Sequence, residues 1–395
     1  MIIDMDQHMY ERPEMWAEYC DPSKRHLALT IEPDELGHWW LTSPWLGRRI
    51  SYAYVSRPRD GFKNAHTVGG HHGIEVLARK FRSEVNYATD LPVDYWDPAA
   101  RVAKLDDFGI DVSIALPHWA GTWANVRRGV WDHLEVLRAN MEAWNRRAID
   151  IQQQGAGRLM AIGLVSLRGG DQSWLGSQLS ALSTGGVRAA MLTYGLQDDR
   201  PLSHTDHDRA WSAFVEHGII PVFHIQDATR NSGLSEEWFT SDHDQIASAL
   251  EMPFYAEGVR LALADLALNG TLERHRTLRV CVIEFCAQWF GQLLAGVDHA
   301  YRFHGRVTGR HIRDLPLMPS EYLLSQVRLV AHWAQDDVPL LAERYPDNVM
   351  FGGDYPHCEG LLSPYADFSR SVGPLPEPES TKFYGRNAGE LLDLR

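Results

Sequence analysis

The sequence predicts an α/β fold, specifically a (β/α)8 TIM barrel, from three observations. Short apolar runs alternate with amphipathic helical stretches through most of the chain, which is the pattern of βα units on a parallel sheet. An early run and a late run each finish in acid and histidine side chains, at Asp4-Met-Asp6-Gln-His8 and at Asp354-Tyr-Pro-His357. In such a barrel the first and last strands are neighbours, and all strand C-termini open onto one mouth. Finally, 395 residues exceed an ordinary domain but suit one barrel with insertions, so residues 1–395 are read as one domain.

The elements follow in order. Ile2–Asp6 is the first strand. Residues 9–96 then break the rhythm, being rich in Trp, Pro, Gly and His, as in His38-Trp39-Trp40, Trp45 and Gly69-Gly70-His71-His72. They read as a long insertion after strand 1, a lid or dimer arm with short elements of its own. A helix is predicted over Pro98–Phe108 and a strand over Asp111–Leu116, closing on Pro117-His118. Residues 130–153 carry Leu134, Val136, Leu137, Met141 and Trp144 on a helical period. Strands follow over Leu159–Val165, Val187–Leu192, Ile219–Phe223 and Arg279–Ile283, the last two ending in His224 and Glu284. Helices are expected between them over 172–183, 206–216 and 243–267. A second insertion, after strand 6, spans about 299–320. Residues 321–345 read as helical or mixed, with the seventh strand within 322–332. Asn348–Gly353 is the eighth strand and ends in Asp354. Pro374–Ser380 is a surface loop, and a helix over about 386–394 closes the chain.

Composition narrows the function. A formal charge of -14 argues against nucleic-acid or anionic-membrane partners, because an acidic surface neutralises no phosphates. No apolar run approaches the roughly 20 residues of a membrane span, and the first residues lack the features of a signal peptide. Four cysteines (Cys20, Cys281, Cys286, Cys358) show no CxxC spacing. The expectation is a soluble cytoplasmic protein that acts on a small molecule, with a homodimer suggested by the Trp-rich insertion.

Asp6 and His8 stand two apart at a strand end, so strand alternation points both to one face. Either histidine of the first and fifth strands, His8 or His224, could instead be a core residue bonded to backbone. Glu284 is harder to explain that way, since a carboxylate ending a buried strand needs a partner or a metal. Asp354 follows two glycines that permit close backbone approach and precedes Tyr-Pro, which turns the chain away. Together these strand-end residues suggest a metal site. His118 and His357, each just beyond a strand, are further candidate ligands or substrate-facing residues. His71-His72 reads as loop structure, Trp39, Trp40 and Trp45 as packing, and Arg101 as a helix-capping or salt-bridging residue. Neither Cys281 nor Cys286 is expected to act as a nucleophile. No Gly-rich nucleotide loop or G-x-S-x-G elbow is present.

These residues resemble the amidohydrolase superfamily, in the branch that includes aminocarboxymuconate-semialdehyde decarboxylase. The resemblance rests on Ile3-Asp-Met-Asp-Gln-His8, Asp97-Pro-Ala-Ala-Arg101, Asp106-Asp-Phe-Gly-Ile-Asp111, Pro221-Val-Phe-His224, Pro319-Ser-Glu-Tyr322, Gly352-Gly-Asp-Tyr-Pro-His357 and Gly385-Arg-Asn-Ala388. It covers nearly the whole chain, and it implies that Asp6, His8, His224 and Asp354 hold a divalent metal. Two positions depart from the pattern. Asp6 stands where relatives carry the first His of His-x-His, and Glu284 stands where a histidine ends the sixth strand. Carboxylates in place of imidazoles suit Mn or Fe better than Zn and allow two ions to be bridged.

The ligand chemistry resembles that of the di-metal oxygenase members of this neighbourhood. The first expectation is therefore a non-heme di-iron (or Mn/Fe) monooxygenase hydroxylating a carboxylate or thioester substrate, with Glu284 as a bridge. The alternatives are a metal-dependent hydrolase of an amide, ester or C–C acyl bond, with Asp354 as general base, and a non-oxidative decarboxylase of an aromatic acid. The cofactor expected is one or two divalent ions, Fe before Mn or Zn. A barrel that has lost catalysis and serves as a partner subunit would show gaps in this ligand set, which is altered but not gapped.

Overall fold

The computed structural model describes residues 1–53, 55, 86–119, 130–225, 252–311, 314–357 and 360–394. Eight parallel strands run in the order β1-β5-β6-β7-β8-β9-β10-β11. They are β1 (Ile3–Met9), β5 (Val112–Pro117), β6 (Leu159–Leu164), β7 (Ala189–Met191), β8 (Ile220–His224), β9 (Val280–Ile283), β10 (Val327–Ala331) and β11 (Val349–Phe351). The seventh barrel strand, β10, falls inside the window expected for it. Nearly every strand residue is buried, as a sheet covered by helices on one side and filled by side chains on the other requires.

The ring closes just beyond the last strand. The Asp354 amide donates to the Asp6 carbonyl (2.7 Å), and the His8 amide donates to the Tyr355 carbonyl (2.8 Å). Closure needs the two glycines before Asp354. A Cβ on Gly352 would lie 2.8 Å from the Asp6 Cβ, and one on Gly353 would lie 2.4 Å from the Pro364 Cβ. Both are inside van der Waals contact, so any side chain would push the strands apart.

Local chemistry fixes the helices between strands. Asp97 caps the helix Pro98–Phe108 by accepting from the Ala100 amide, and Gly109 ends it at φ +66°. Asp171 caps Gln172–Thr184 in the same way. The long helix Leu134–Gln154 buries Val136, Leu137, Met141 and Trp144, the residues that carried its period. The first strand runs on to Met9, past the expected end at Asp6, and two helices differ more widely. Residues 299–308 are not insertion but the second half of the helix Phe290–Thr308, whose apolar stripe (Leu293, Leu294, Val297, Tyr301) continues past Asp298. The helix expected over 243–267 is described only from residue 252, and there it is the helix Glu257–Leu268 preceded by a single turn.

Between β1 and β5 the chain forms an antiparallel meander of β2 (Thr30–Pro33), β3 (Trp39–Ser43) and β4 (Arg48–Tyr52). Trp40 is buried in it, and Arg49 stacks on the indole. Trp45 is half exposed. His71 and His72 lie outside the described residues. No described helix is long and apolar enough to cross a membrane.

Candidate metal centre

The C-terminal ends of β1, β8, β9 and β11 bring Asp6, His8, His224, Glu284 and Asp354 together. His357 and His118 join them from the turns after β11 and β5. The donor atoms form three overlapping groups, each within 4.8 Å: Asp6, His8 and His224; His8, Glu284, Asp354 and His357; His8, His118 and His357. His8 belongs to all three, so it marks the centre. All seven metal-site residues expected from the sequence are therefore neighbours at one mouth.

Hydrogen bonding sets the imidazoles up as ligands. His8 Nδ1 lies 3.1 Å from the Pro117 carbonyl, and His224 Nδ1 lies 3.1 Å from the Ile225 carbonyl. A carbonyl only accepts, so in each ring the proton sits on Nδ1 and Nε2 keeps its lone pair. His8 Nε2 is buried and makes no hydrogen bond, while standing 3.5 Å from Asp6 Oδ1 and 3.4 Å from Asp354 Oδ1. Burial, then the neighbouring His357, His224 and His118, hold the His8 pKa well below its ordinary value. His118 is lowered likewise by burial and by His357. The shift favours the neutral ring in each, and for His8 that is the form that binds metal.

Other contacts have the spacing of ligands around one ion. His224 Nε2 lies 2.8 Å from Glu284 Oε2, and His357 Nδ1 lies 2.8 Å from Asp354 Oδ1. Bonds of 2.0–2.2 Å at right angles put adjacent donors about 3 Å apart. The buried, unbonded Nε2 of His8 inside a shell of carboxylates and imidazoles is what a divalent cation would complete, and the residues fit such an ion. Glu284 (φ +64°) and Asp354 (φ +52°) both hold left-handed backbone, which non-glycine residues rarely adopt. Such strain at two of the expected ligands is typical of functional positions.

A supporting layer was not evident from the sequence. Asp4 is fully buried, accepts from the Gly353 amide (2.9 Å) and from Gln7 Nε2 (2.8 Å), and is pushed up to about 6 by burial. It ties β1 to the strand carrying Asp354. Among the described residues Arg101 forms no salt bridge, contrary to expectation. It is fully buried beneath β1, donating to the Gln7 side chain (3.2 Å) and to the His8 (3.0 Å) and Asp94 (2.9 Å) carbonyls, with its guanidinium over the Tyr355 ring. Tyr10 stacks on His118 at 3.7 Å. Buried Glu11 accepts from the Trp119 amide, and burial pushes its pKa up to about 8. Asp4 precedes Asp6-Gln-His8 on the same strand, and Glu11 follows it just beyond the strand end. Cys281 and Cys286 are both pushed up to about 12, mainly by burial, and are poor nucleophiles as expected.

The chain was compared with known proteins. The amidohydrolase family profile matches residues 3–394. No curated protein matches. Among solved structures, an amidohydrolase from Mycobacterium avium subsp. paratuberculosis K-10 is similar at a TM-score of 0.73 and 20% identity, covering 99% of this chain and 98% of that one. The 5-carboxyvanillate decarboxylase of Novosphingobium aromaticivorans DSM 12444, complexed with manganese and 4-hydroxy-3-methoxy-5-nitrobenzoic acid, has a TM-score of 0.66 at 16% identity, covering 100% and 96%. The 5-carboxyvanillate decarboxylase of Sphingomonas paucimobilis has a TM-score of 0.61 at 14% identity, covering 100% and 99%. Matched by its family profile over almost its full length, and carrying these residues at the mouth of an eight-stranded barrel, the chain belongs to the amidohydrolase family.

Proposed function

We propose that this enzyme is a divalent-metal-dependent, non-oxidative decarboxylase of a small aromatic acid. The observation that carries the reading is the placement of His357, 2.8 Å from Asp354 and 2.9 Å from His118 Nδ1. The resemblance places a histidine at the end of the sixth strand in the decarboxylases, and Glu284 cannot act as that cationic acid. His357 and His118 return an imidazole pair to the centre from the other side. The solved neighbours support the same direction, since they include decarboxylases of hydroxylated aromatic acids, some with bound manganese. At these identities they speak for the fold, and the chemistry is argued from the site.

Asp6, His8, His224, Glu284 and Asp354 would hold the ion, Mn being the first candidate. When bound it supplies a Lewis acid for the substrate carboxylate and its neighbouring oxygen. Asp354 orients the His357 ring, and the Tyr10 ring packed on His118 fixes that imidazole beside it. The ring carbon that loses CO₂ must gain a proton, and the His357–His118 pair is placed to hold and deliver it. The test is anaerobic release of CO₂ from a panel of hydroxybenzoates by the manganese-loaded protein. Turnover without oxygen supports the reading; turnover only with oxygen uptake overturns it.

A second reading, the di-iron or Mn/Fe monooxygenase, is favoured by one specific feature. Asp6, His8, His224, Glu284, Asp354 and His357 are six donors, and they fall into two groups, Asp6–His8–His224 and His8–Glu284–Asp354–His357, that share only His8. Two such groups would suit two ions, with Glu284 close to His224 and Asp354 close to His8 as carboxylates that could serve both. The solved neighbours named above lend this reading no support.

A further inference from the structure

The barrel has a cavity at the opposite end from the metal centre. It holds about 300 Å³ and is lined by Arg188, Arg279 and Thr277 over an apolar floor that includes Phe214, Ile219 and Leu392. Arg188 and Arg279 immediately precede β7 and β9, and Arg328 is the second residue of β10. Arg188 and Arg279 line the opening, and Arg328 lies outside its lining, next to Arg279 across the β9–β10 pair.

What these arginines leave unused is informative. Arg279 Nη1 donates to the Arg276 and Leu278 carbonyls (both 3.3 Å), and Arg328 Nη1 donates to the Val327 carbonyl (3.0 Å), with a longer contact to the Ser325 carbonyl. Among the described residues these guanidinium groups bond through Nη1, which leaves the Nε–Nη2 edge, the fork that grips a planar or tetrahedral oxyanion with two parallel hydrogen bonds. Among the described residues, Arg188, Arg279 and Arg328 form no ion pair. Arg158, before β6 on the same end, is different. Its Nε and Nη2 go to the Asp111 and Ile110 carbonyls and its Nη1 to Asp106.

The carboxylates closest in effect are committed elsewhere. Asp347 and Glu390 act on Arg328, yet Lys382 holds Asp347 at 2.7 Å and Arg386 holds Glu390 at 2.8 Å. Asp393 lines the cavity and is exposed. Burial and the charge of Arg279 lower the Arg328 pKa although Asp347 and Glu390 pull it up, so positive charge is in local excess here. In a chain of formal charge -14 that local excess is unusual.

We infer that the cavity at the N-terminal end of the barrel strands is a binding site for a tetrahedral oxyanion, free phosphate or a small phosphate monoester, gripped by Arg279 and Arg188, with the charge of Arg328 behind Arg279. The apolar floor leaves room for a short organic body behind the phosphoryl group. The site is separate from the metal centre, and the inference stands whatever reaction that centre performs.

The experiment is titration calorimetry on the metal-loaded protein at low ionic strength, with inorganic phosphate in one arm and glycerol 3-phosphate in the other. Arg279→Ala/Arg328→Ala is the comparison, and Arg279→Lys keeps the charge without the fork. The expected result is binding by the wild type that weakens at least about tenfold in the double variant, with Arg279→Lys between. Tighter binding of the ester would assign the site to a phosphorylated metabolite, and equal binding to free phosphate. Phosphate taken up only at the metal would bind wild type and double variant alike. That result, or no binding in either arm, overturns the inference. A thermal melt of each variant shows that the fold is intact, and Arg279→Lys carries the comparison if the double variant does not fold.

Discussion

Asp354 Oδ1 lies 3.4 Å from His8 Nε2 and so joins the last strand of the barrel to the first at the centre of the metal site. The same two residues take part in ring closure through their amides, which donate to Asp6 and Tyr355. Barrel geometry and ligand geometry are therefore one arrangement, and disturbing either should disturb both.

Gly353→Ala is the direct check of that link. The added methyl would meet the Pro364 ring at 2.4 Å and the Asp4 carboxylate at 2.8 Å, neither of which can swing away. Overpacking of this kind costs about 1–3 kcal/mol. Chemical denaturation should show that loss, and metal affinity should fall with it.

Arg101 supports the site from below. Arg101→Ala strands the Gln7 side chain and the His8 and Asp94 carbonyls in a buried space and removes the cation over Tyr355. Hydrogen bonds to a charged group contribute about 1.5–3 kcal/mol each, not additively. A loss of about 3 kcal/mol or more is expected, read as a lowered denaturation midpoint at unchanged slope.

His118 should separate chemistry from metal binding. It contacts His357 but ends none of the strands that carry Asp6, His224, Glu284 or Asp354. His118→Ala is expected to keep its metal and lose roughly 10²–10⁴-fold in kcat, the range for a removed acid–base group. Loss of metal in step with activity would make His118 a ligand instead.

Glu284→Ala should do the reverse. Its carboxylate is 2.8 Å from His224 Nε2, so its removal takes away a donor. The variant is expected to bind manganese at least tenfold more weakly, by analogy with the 10–100-fold cost of losing even an outer-shell partner. Metal content after dialysis against a weak chelator would record it.

Much of this was legible in the residues. The barrel was readable because apolar runs and amphipathic stretches alternate with unambiguous period, and because Asp6, His8, His224, Glu284 and Asp354 are polar endings on apolar strands. His118 and His357 could be named as candidates but not placed, since a residue one or three positions beyond a strand can face any direction. Arg101 was misread because a charged residue on a helix is usually solvated; only the fold shows that its helix packs it beneath β1. Asp4 and Glu11 were passed over for a related reason. Burial without a metal-like pattern leaves no sequence signal that separates a strand-tying carboxylate from a ligand. The helical character of 299–308 was hidden because Tyr301 is its one buried residue, while Phe303 and Val307 are exposed and blur the apolar period.

The most direct test of the central claim is metal stoichiometry. The wild type and Asp354→Asn would be equilibrated with manganese, freed of excess by gel filtration, and analysed for metal per chain. The account predicts at least one tightly held equivalent in the wild type and a clear deficit in Asp354→Asn, with the same secondary structure in both. A wild-type protein that retains no manganese, zinc or iron, or a variant that retains as much as the wild type, would contradict a metal centre built on Asp354 and His8.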